Sequence, residues 1–557
     1  MWGVNKLLTV DRPLLEKLFY RLVATPGITG TEMENRSTEA VIESFNEMQY
    51  FQQNPRYLQV FPVKGDIFNR KVVTALVKGS GSSNKTVVMI GHTDVVDVQN
   101  YGKNSELAFK PELLMKELDP DSLDQEAKKD FLSGEWVFGR GVMDMRCGVA
   151  AAMALIEAAS HCSEELNGNL LFVAVPDEEN NSVGMISATD NLIELAREYD
   201  LDYRACIDGE PFFPRHPGDD QKYVYEGTLG KFVLMAYCTG KGTHGGDPLA
   251  GLNANLIISE LTRRIELNMD LADAFEGEVF YPPTNLKQAD TKEVYDITTP
   301  ESAYAYYNFL TANQSPAVFF NKVRHLAREA LKTAFEKQRS AAKKYIEISG
   351  KEGLYQNWVP KVLSYSELVS EARKSRDQSF NTHMETCREK WRKQPELDQR
   401  ILALEIVREV NSLCADQGPK IILFYVPSYY PHVKPFQDTE KGQRAAEVIR
   451  EVCEYAKDEF NEKISVEKFF PGLCDLSFVS LQNAEDVTGE IAPNMPNWGF
   501  TFSLPVANMK KLGLPVMNIG PFGKDAHKNS ERLHKDFSFR VYPALLAYAI
   551  DRLLSDS

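Results

Sequence analysis

One sequence feature constrains the fold of this chain more than any other. Short apolar runs end at a glycine or proline and are followed by acidic residues or a histidine. The clearest is VVMIGHTDVVD at residues 87–97, where four apolar residues lead into His92 and Asp94. A β-branched run without polar alternation is typical of a strand buried on both faces of a sheet. Taken alone, the His-x-Asp pair is explained by a hydrogen bond in a loop, so its interpretation depends on the rest of the chain.

Similar runs recur along the first 215 residues, in alternation with helical segments. Further predicted strands are KVVTALVKG, NLLFVAVPDEE and YRACIDGEP, and CGVAAAMALIEAASHC predicts a helix of small residues that can pack closely on a sheet. This alternation predicts an α/β domain whose central, mostly parallel sheet is flanked by helices.

The alternation of predicted strands and helices changes after a polar, turn-rich stretch near 217–226. KFVLMAYCTGKGTHGG predicts a strand that leads into a loop, and amphipathic helices dominate from about 277 to 420. Alternating strands and helices then resume. We therefore predict a core domain in two segments, 1–222 and 436–557. An α+β domain at 223–435 interrupts it, and the helices within 277–420 enlarge that inserted domain.

Charge and composition restrict the class of function. The 557 residues carry a net charge of −16, which argues against a nucleic-acid-binding surface. No stretch approaches about 18 consecutive apolar residues, so no membrane span is expected. The eight cysteines include no Cys-x-x-Cys pair, and the amphipathic helical pattern of residues 1–22 is unlike a signal peptide. Both features predict a cytoplasmic protein with reduced thiols.

Four more polar clusters lie after apolar runs or at the start of the small-residue helix. They contain Asp144 in GRGVMDM, Glu178 and Glu179 in PDEENNSVG, Asp208 and Glu210 in IDGEP, and His527 in AHKNSE. Each has an ordinary explanation as a helix cap, a solvated turn or a surface residue. Together they would gather at one edge of the sheet, where the carboxylates would repel one another without cations. Two histidines and several carboxylates suit a pair of zinc ions, with one glutamate left free as a general base.

This ordered set of motifs resembles the co-catalytic zinc peptidases and deacylases, a family that includes dipeptidases, tripeptidase, acetylornithine deacetylase, aminoacylase and carboxypeptidase G. The resemblance implies a zinc-peptidase-like catalytic domain for the core segments and a lid for the inserted domain. It also implies hydrolysis of a peptide or amide bond with two divalent metal ions, zinc first, with manganese or cobalt as alternatives. The length, DEENNSVGM and the long insertion are similar to a branch linked to arginine utilisation, which implies a small amide from amino-acid breakdown as the substrate.

The same resemblance implies a set of metal ligands. Asp144 bridges the two ions and precedes a cis peptide bond, and the sequence leaves two candidates for one position, of which Asp208 is preferred to Glu210. The complete set of ligands is His92, Asp144, Glu179, Asp208 or Glu210, and His527.

Other roles also follow from the resemblance. Glu178 is the general base, and Asp94 orients the histidine ligand. His244, in GTHGGDPLAG, steadies the oxyanion, often in the site of a partner subunit. Asp475, in PGLCDLSF, supports the substrate or His527, and Asp475 and Asn253 are the predicted substrate-binding residues. The resemblance implies a homodimer formed through the lid, although the long insertion can block that edge or reshape the pocket.

Three other functions fit parts of the sequence. A metal-binding or regulatory homologue without turnover is compatible with the ligands, but the proposed base Glu178 is present. A two-metal phosphoesterase is disfavoured because the motifs lack a glycine-rich phosphate loop and a cluster of arginines. A purely structural helical protein would leave the clusters of the core domain unexplained.

Overall fold

A computed structural model describes residues 8–79, 81–216, 218–350, 357–376, 379–436 and 438–555. The chain divides into two compact units. Unit 1 comprises Met1–Leu229, His432–Gln482 and Pro505–Ser557, and unit 2 comprises Gly230–Pro431 and Asn483–Leu504.

The strands are numbered in chain order. They are β1 Leu58–Pro62, β2 Lys71–Lys78, β3 Lys85–His92, β4 Trp136–Phe138, β5 Asn169–Val175, β6 Asp202–Asp208, β7 Lys222–Tyr225, β8 Gly230–Thr239, β9 Ala274–Phe275, β10 Glu278–Val279, β11 Thr284–Asp290, β12 Ser302–Thr311, β13 Val362–Ser364, β14 Lys420–Tyr430, β15 Ile464–Glu467, β16 Val516–Asn518, β17 Gly523–Lys524 and β18 Arg532–His534.

The α-helices are numbered in the same way. They are α1 Arg12–Val23, α2 Glu34–Glu47, α3 Gln49–Gln53, α4 Pro111–Glu117, α5 Gln125–Ser133, α6 Cys147–His161, α7 Val183–Tyr199, α8 Ala254–Ile265, α9 Pro316–Ser349, α10 Tyr365–Arg376, α11 Ser379–Trp391, α12 Gln399–Ser412, α13 Glu440–Phe460, α14 Val506–Leu512 and α15 Tyr542–Leu554. Within the described ranges, none of them has the length and apolar character needed to cross a membrane. Of the helical pattern predicted at 1–22, residues 1–7 lie outside the described ranges.

Unit 1 is built on an eight-stranded sheet with the order β1-β2-β5-β3-β6-β16-β7-β15. The central strands β5, β3, β6 and β16 run parallel to one another, and antiparallel pairs lie to either side. Helices such as α2, α6, α7, α13 and α15 pack on this sheet. The predicted α/β class is therefore confirmed, with the parallel strands concentrated at the centre of a mixed sheet.

The parallel centre of the sheet determines where polar residues gather. Strands β3 and β5 are buried at nearly every position, as their β-branched runs predict. His92 is the last residue of β3 and Asp208 the last of β6, while Glu178 and Glu179 follow shortly after β5. Because parallel strands end at the same edge of a sheet, these residues share that edge.

The small-residue helix α6 packs closely against the same edge. A side chain at Gly148 would place its Cβ only 2.4 Å from the main-chain oxygen of Gly209, so only glycine allows this approach. The contact brings the start of α6, which follows Asp144, next to the IDGEP turn.

Unit 2 is an α+β unit with a five-stranded sheet in the order β11-β12-β8-β14-β13. The residues of β8 alternate between its two faces. Met235 and Tyr237 pack into a core with α10, α11 and α12, whereas Phe232 on the opposite face contacts Phe319 of α9. Helices therefore cover both faces of the sheet.

The borders of the units differ from those expected from the sequence. β7 pairs with β15 and β16 and so belongs to unit 1, although 222 was the predicted end of the first core segment. The segment 483–504, expected in the second core segment, packs with unit 2. Within 277–420, β11 and β12 are integral strands of the unit 2 sheet, so the long helices that enlarge it run from Pro316 to Ser412.

Candidate metal centre

Asp144 stands between two histidines at the edge of the unit 1 sheet. Its Oδ1 atom lies 3.1 Å from Nε2 of His92, and its Oδ2 atom lies 3.1 Å from Nε2 of His527. One carboxylate thus faces two imidazoles through different oxygens, which is the arrangement needed to bridge two metal ions. His92 and Asp144 are buried, whereas His527 is half exposed, so the group is open to solvent on its side.

Three glutamates complete what we name the strand-end group. Oε2 of Glu179 lies 3.0 Å from Nε2 of His527, and Oε1 of Glu210 lies 3.1 Å from Nε2 of His92. Oε2 of Glu178 lies farther from that nitrogen, at 3.9 Å. The strand-end group consists of His92, Asp144, Glu178, Glu179, Glu210 and His527.

Asp94 links the histidine to the glutamate turn. Its carboxylate oxygens accept hydrogen bonds from the main-chain N–H groups of Glu178 and Glu179, each at 3.1 Å. Nδ1 of His92 lies 3.1 Å from the main-chain oxygen of Asp94 and 3.5 Å from its Oδ1. A proton on Nδ1 would leave the Nε2 lone pair directed at Asp144 and Glu210, as metal binding requires. Asp94 therefore positions the main chain of Glu178 and Glu179 as well as the imidazole of His92.

Local backbone geometry presents Asp144 to the histidines. Gly141 has a φ of 75°, and a Cβ there would lie 2.7 Å from the side chain of Val95. Only glycine adopts this conformation without cost, which accounts for the second glycine of GRGVMDM. The peptide bond between Asp144 and Met145 is cis, as the resemblance predicted.

The charges of the strand-end group are poorly compensated by the protein alone. Burial raises the pKa of Glu178 well above its ordinary value, and nearby Glu210 adds to the rise. Burial, with Asp144, also raises the pKa of Glu210 to about 8. Burial opposes ionisation of Asp144 too, but hydrogen bonds from His527 and His92 lower its pKa below the usual value. Crowded buried carboxylates with raised pKa values are the condition that divalent cations relieve.

The geometry favours Glu210 over Asp208 and so departs from the preference drawn from sequence. Asp208 is buried and interacts with the main-chain N–H groups of Gly209 and Glu210. In the described part of the chain, it belongs to neither of the donor groups at this edge. Its side chain is one methylene shorter and held by its own turn, whereas Glu210 extends to His92.

Burial raises the pKa of nearby Asp475 to about 8, and the predicted part of Asp475 in substrate binding stays a prediction.

The loop that carries His527 is held by a buried ion pair that sequence reasoning did not identify. Nη1 of Arg140 donates to Oε2 of Glu531 at 2.6 Å, and both side chains are essentially inaccessible. Arg140 also approaches the main-chain oxygen of His527 at 3.4 Å, and Asn100 donates to that oxygen at 2.6 Å. An arginine inside the apolar motif GRGVMDM was the available signal, because a buried guanidinium needs a carboxylate partner.

A second buried arginine holds the turn before Glu178. Asp177 adopts a φ of 71°, a conformation uncommon outside glycine. Nη1 of Arg70 donates to Oδ1 of Asp177 at 2.5 Å and to Oε1 of Glu34 at 2.7 Å. These partners come from distant parts of the chain, so no local motif points to them.

Two predicted site residues belong to unit 2. His244 is exposed in the loop after β8, where its Nδ1 accepts a hydrogen bond from the N–H of Gly246 at 3.0 Å. The side-chain oxygen of Asn253 accepts from the N–H of Asn255 at 2.8 Å and caps α8. A capping role accounts for Asn253 in structural terms, and the functional roles of both residues stay predictions.

The donors of the strand-end group fit a pair of divalent ions. Two overlapping sets each bring one donor atom per residue within 4.8 Å of the others: His92 with Asp144 and Glu179, and His92 with Glu178 and Glu210. His527 adjoins the first set through Asp144 and Glu179. Imidazole nitrogens and carboxylate oxygens are ligands that zinc, manganese and cobalt all accept.

Comparison with known proteins identifies the family of this chain. Residues 88–551 match the peptidase family M20/M25/M40. The chain is 36% identical over 542 residues to the uncharacterized protein YqjN of Bacillus subtilis (strain 168), covering 97% of this chain and 96% of that protein. It is 32% identical over 541 residues to protein RocB of the same strain, covering 97% and 95%.

The fold is similar to that of a solved aminopeptidase, PepT from Bacillus cereus ATCC 10987. The TM-score is 0.52, and the comparison covers 98% of this chain and 100% of that chain at 12% sequence identity. At so low an identity, the likeness concerns the fold alone.

Proposed function

This chain belongs to the peptidase family M20/M25/M40, and we propose that it hydrolyses an amide bond in a short peptide or an N-acylated amino acid. Membership makes it a metallohydrolase of the peptidase and deacylase class. The finer proposal concerns two bound metal ions, the residues that hold them and the substrate.

The position of Asp144 is the observation that carries the proposal. Its two oxygens, each 3.1 Å from a different imidazole, support a bridging role between two ions. Glu179 and His527 would complete one ion site, and His92 and Glu210 the other. We propose zinc for both, with manganese and cobalt as alternatives. Bound divalent ions of this kind make a nucleophile available at neutral pH and stabilise negative charge on the scissile carbonyl oxygen.

Glu178 is the proposed general base. It is buried beside the ligands, yet its carboxylate is 3.9 Å from Nε2 of His92, farther than that of Glu210. Asp94 fixes its main chain through the N–H of Glu178. From this position Glu178 would take a proton from the attacking water and deliver it to the leaving nitrogen.

The substrate is proposed to be a small amide connected with arginine or other amino-acid breakdown. This part rests on the resemblance to the arginine-utilisation branch of the family and on the similarity to RocB over 97% of the chain. Acylated arginine, related acylated amino acids and short peptides are therefore the first compounds to test. A homodimer formed through unit 2 is a further proposal, which light scattering of the purified protein would examine.

A substrate screen with a matched variant tests the function. The metal-loaded protein should release amino acid from at least one of these amides. The Glu178→Gln variant should keep both ions and lose turnover by a factor of about 10²–10⁴, since one proton-transfer group is removed. Elemental analysis of the same preparations checks the ions.

The outcomes separate the proposal from its main alternative. Normal turnover by Glu178→Gln would remove that residue from the base role. Two bound ions without hydrolysis of any amide in the screen would favour a metal-binding homologue that has lost activity.

A further inference from the structure

Unit 2 contains its own cluster of metal-binding side chains, which the function proposed above does not use. His383 and Cys387 lie on α11, and Glu409 lies on α12. One donor atom from each of the three residues lies within 4.8 Å of the others. We name these residues the helix-face group.

The backbone of the helix-face group is positioned independently of any metal. His383 and Cys387 are four residues apart on one helix, so they lie one turn apart on the same face. Phe380 and Met384 of that helix are buried in a core that also contains Val410 of α12. Apolar packing thus holds both helices in register, and the donors project from adjacent positions.

The distances are close to those of a tetrahedral site. Bonds of about 2.0–2.3 Å from zinc to nitrogen, oxygen and sulfur place neighbouring ligands roughly 3.3–3.8 Å apart. Sγ of Cys387 lies 3.6 Å from Nε2 of His383, within that range. Oε1 of Glu409 is 2.5 Å from the same nitrogen, in a direct hydrogen bond. A metal would replace this bond after the partly exposed Glu409 side chain moved by roughly 1 Å.

The donor types select among metals. A thiolate with an imidazole favours zinc or another borderline transition metal over magnesium, calcium or manganese. The strand-end group contains no sulfur, so the two groups differ in this respect. Three protein ligands also leave a fourth position vacant in a tetrahedral site.

A cavity gives access to the helix-face group. It has a volume of about 1060 Å³, lies within unit 2, and is lined by residues that include Cys387 and Glu409. Lys390 and Arg408 line the same cavity, but so do Asp296, Glu301 and Glu405. Because these opposite charges offset one another, water is the expected occupant of the open position.

We propose that His383, Cys387 and Glu409 form a zinc site in unit 2, with a fourth coordination position open to water from the cavity. The site depends on side chains of unit 2 alone. It does not depend on whether the strand-end group hydrolyses amides.

Cobalt substitution of the full-length protein tests the proposal. Cobalt bound by a thiolate gives an intense near-ultraviolet charge-transfer band, whereas cobalt bound only by nitrogen and oxygen does not. The wild-type protein should show this band and bind about three equivalents of metal. Cys387→Ser should lose the band and bind about one equivalent less, and His383→Gln should weaken the third equivalent at least tenfold.

A matched control and the opposite result complete the experiment. Cys162 is also partly exposed but belongs to no donor group in the described ranges, so Cys162→Ser should keep the band and the third equivalent. A wild-type spectrum without the band, or a band that survives Cys387→Ser, would overturn the zinc site. Neither result would bear on hydrolysis, which is contradicted only if the metal-loaded wild-type protein hydrolyses no amide in the screen.

Discussion

The strand-end group and the helix-face group differ in how their donors are held. The donors of the first come from well-separated parts of the chain, and His92, Asp144, Glu178 and Glu210 are buried. The donors of the second come from two neighbouring helices, and the side chains of His383 and Glu409 are 43% and 34% exposed. An unpaired buried charge is costly, whereas an exposed one is solvated. The buried group should therefore respond strongly to single substitutions and the exposed group weakly.

Substitution of Glu210 should produce the largest effect, on turnover. It tests whether Glu210 or Asp208 is the acid that completes the buried group. Glu210→Gln should lose one of the two ions of the strand-end group. Turnover should then fall by at least about 10³, since each ion contributes several kcal/mol to stabilising the transition state. Elemental analysis and kcat measurements check both points.

Asp208→Asn is the matched control for this experiment. It alters the carboxylate two residues earlier, and it should retain both ions. If Asp208→Asn loses an ion while Glu210→Gln keeps both, the assignment from geometry is wrong and the preference drawn from sequence is right.

Arg140 should give the next largest effect, on stability. Arg140→Met leaves Glu531 buried without its partner 2.6 Å away, which should lower the free energy of unfolding by about 3–5 kcal/mol. It should also weaken metal binding, because the His527 loop loses a contact. Denaturant unfolding of the metal-loaded protein measures the first effect.

Arg392 of unit 2 provides the contrast for Arg140. It pairs with Glu385 at 2.9 Å, but both side chains are about half exposed. Arg392→Met should leave the unfolding midpoint unchanged within error. Equal losses in the free energy of unfolding for Arg140→Met and Arg392→Met would contradict the expected difference between buried and exposed ion pairs.

Among the substitutions expected to cause a loss, His244→Ala should cause the smallest. His244 is exposed in unit 2, and the family resemblance implies that it stabilises the oxyanion. His244→Ala should then lower kcat by about 10²–10³, the usual loss for one such donor, and leave metal content and stability unchanged. An unchanged kcat would exclude His244 from the reaction, and a loss of metal would indicate a different role.

Most of the central sheet of unit 1 could be predicted from the sequence. The runs before His92, Glu178 and Asp208 form β3, β5 and β6, because continuous β-branched residues suit strands covered on both faces. The helix after Asp144 was equally clear from its small residues. These signals lie within short stretches of the chain, so they can be recognised from a single sequence.

Other features had no local signal. Arg140 and Glu531 are far apart in the chain, and so are Arg70 and Asp177, yet each pair is buried in direct contact. The segment 483–504 packs with unit 2, although it lies within the stretch where the alternating strands and helices of the core domain resume. His383, Cys387 and Glu409 resemble ordinary residues of two amphipathic helices until those helices are packed together.

Sequence alone determined the strands of this protein, the acids and histidines that follow them and the family they resemble, because all three depend on residue order along short stretches. Tertiary structure decided that Glu210 rather than Asp208 faces His92, that Asp144 lies between two imidazoles, and that a second donor group exists in unit 2. Those outcomes depend on side-chain length, strand order and helix packing. Such distances of a few ångströms arise only when distant segments of the chain come together.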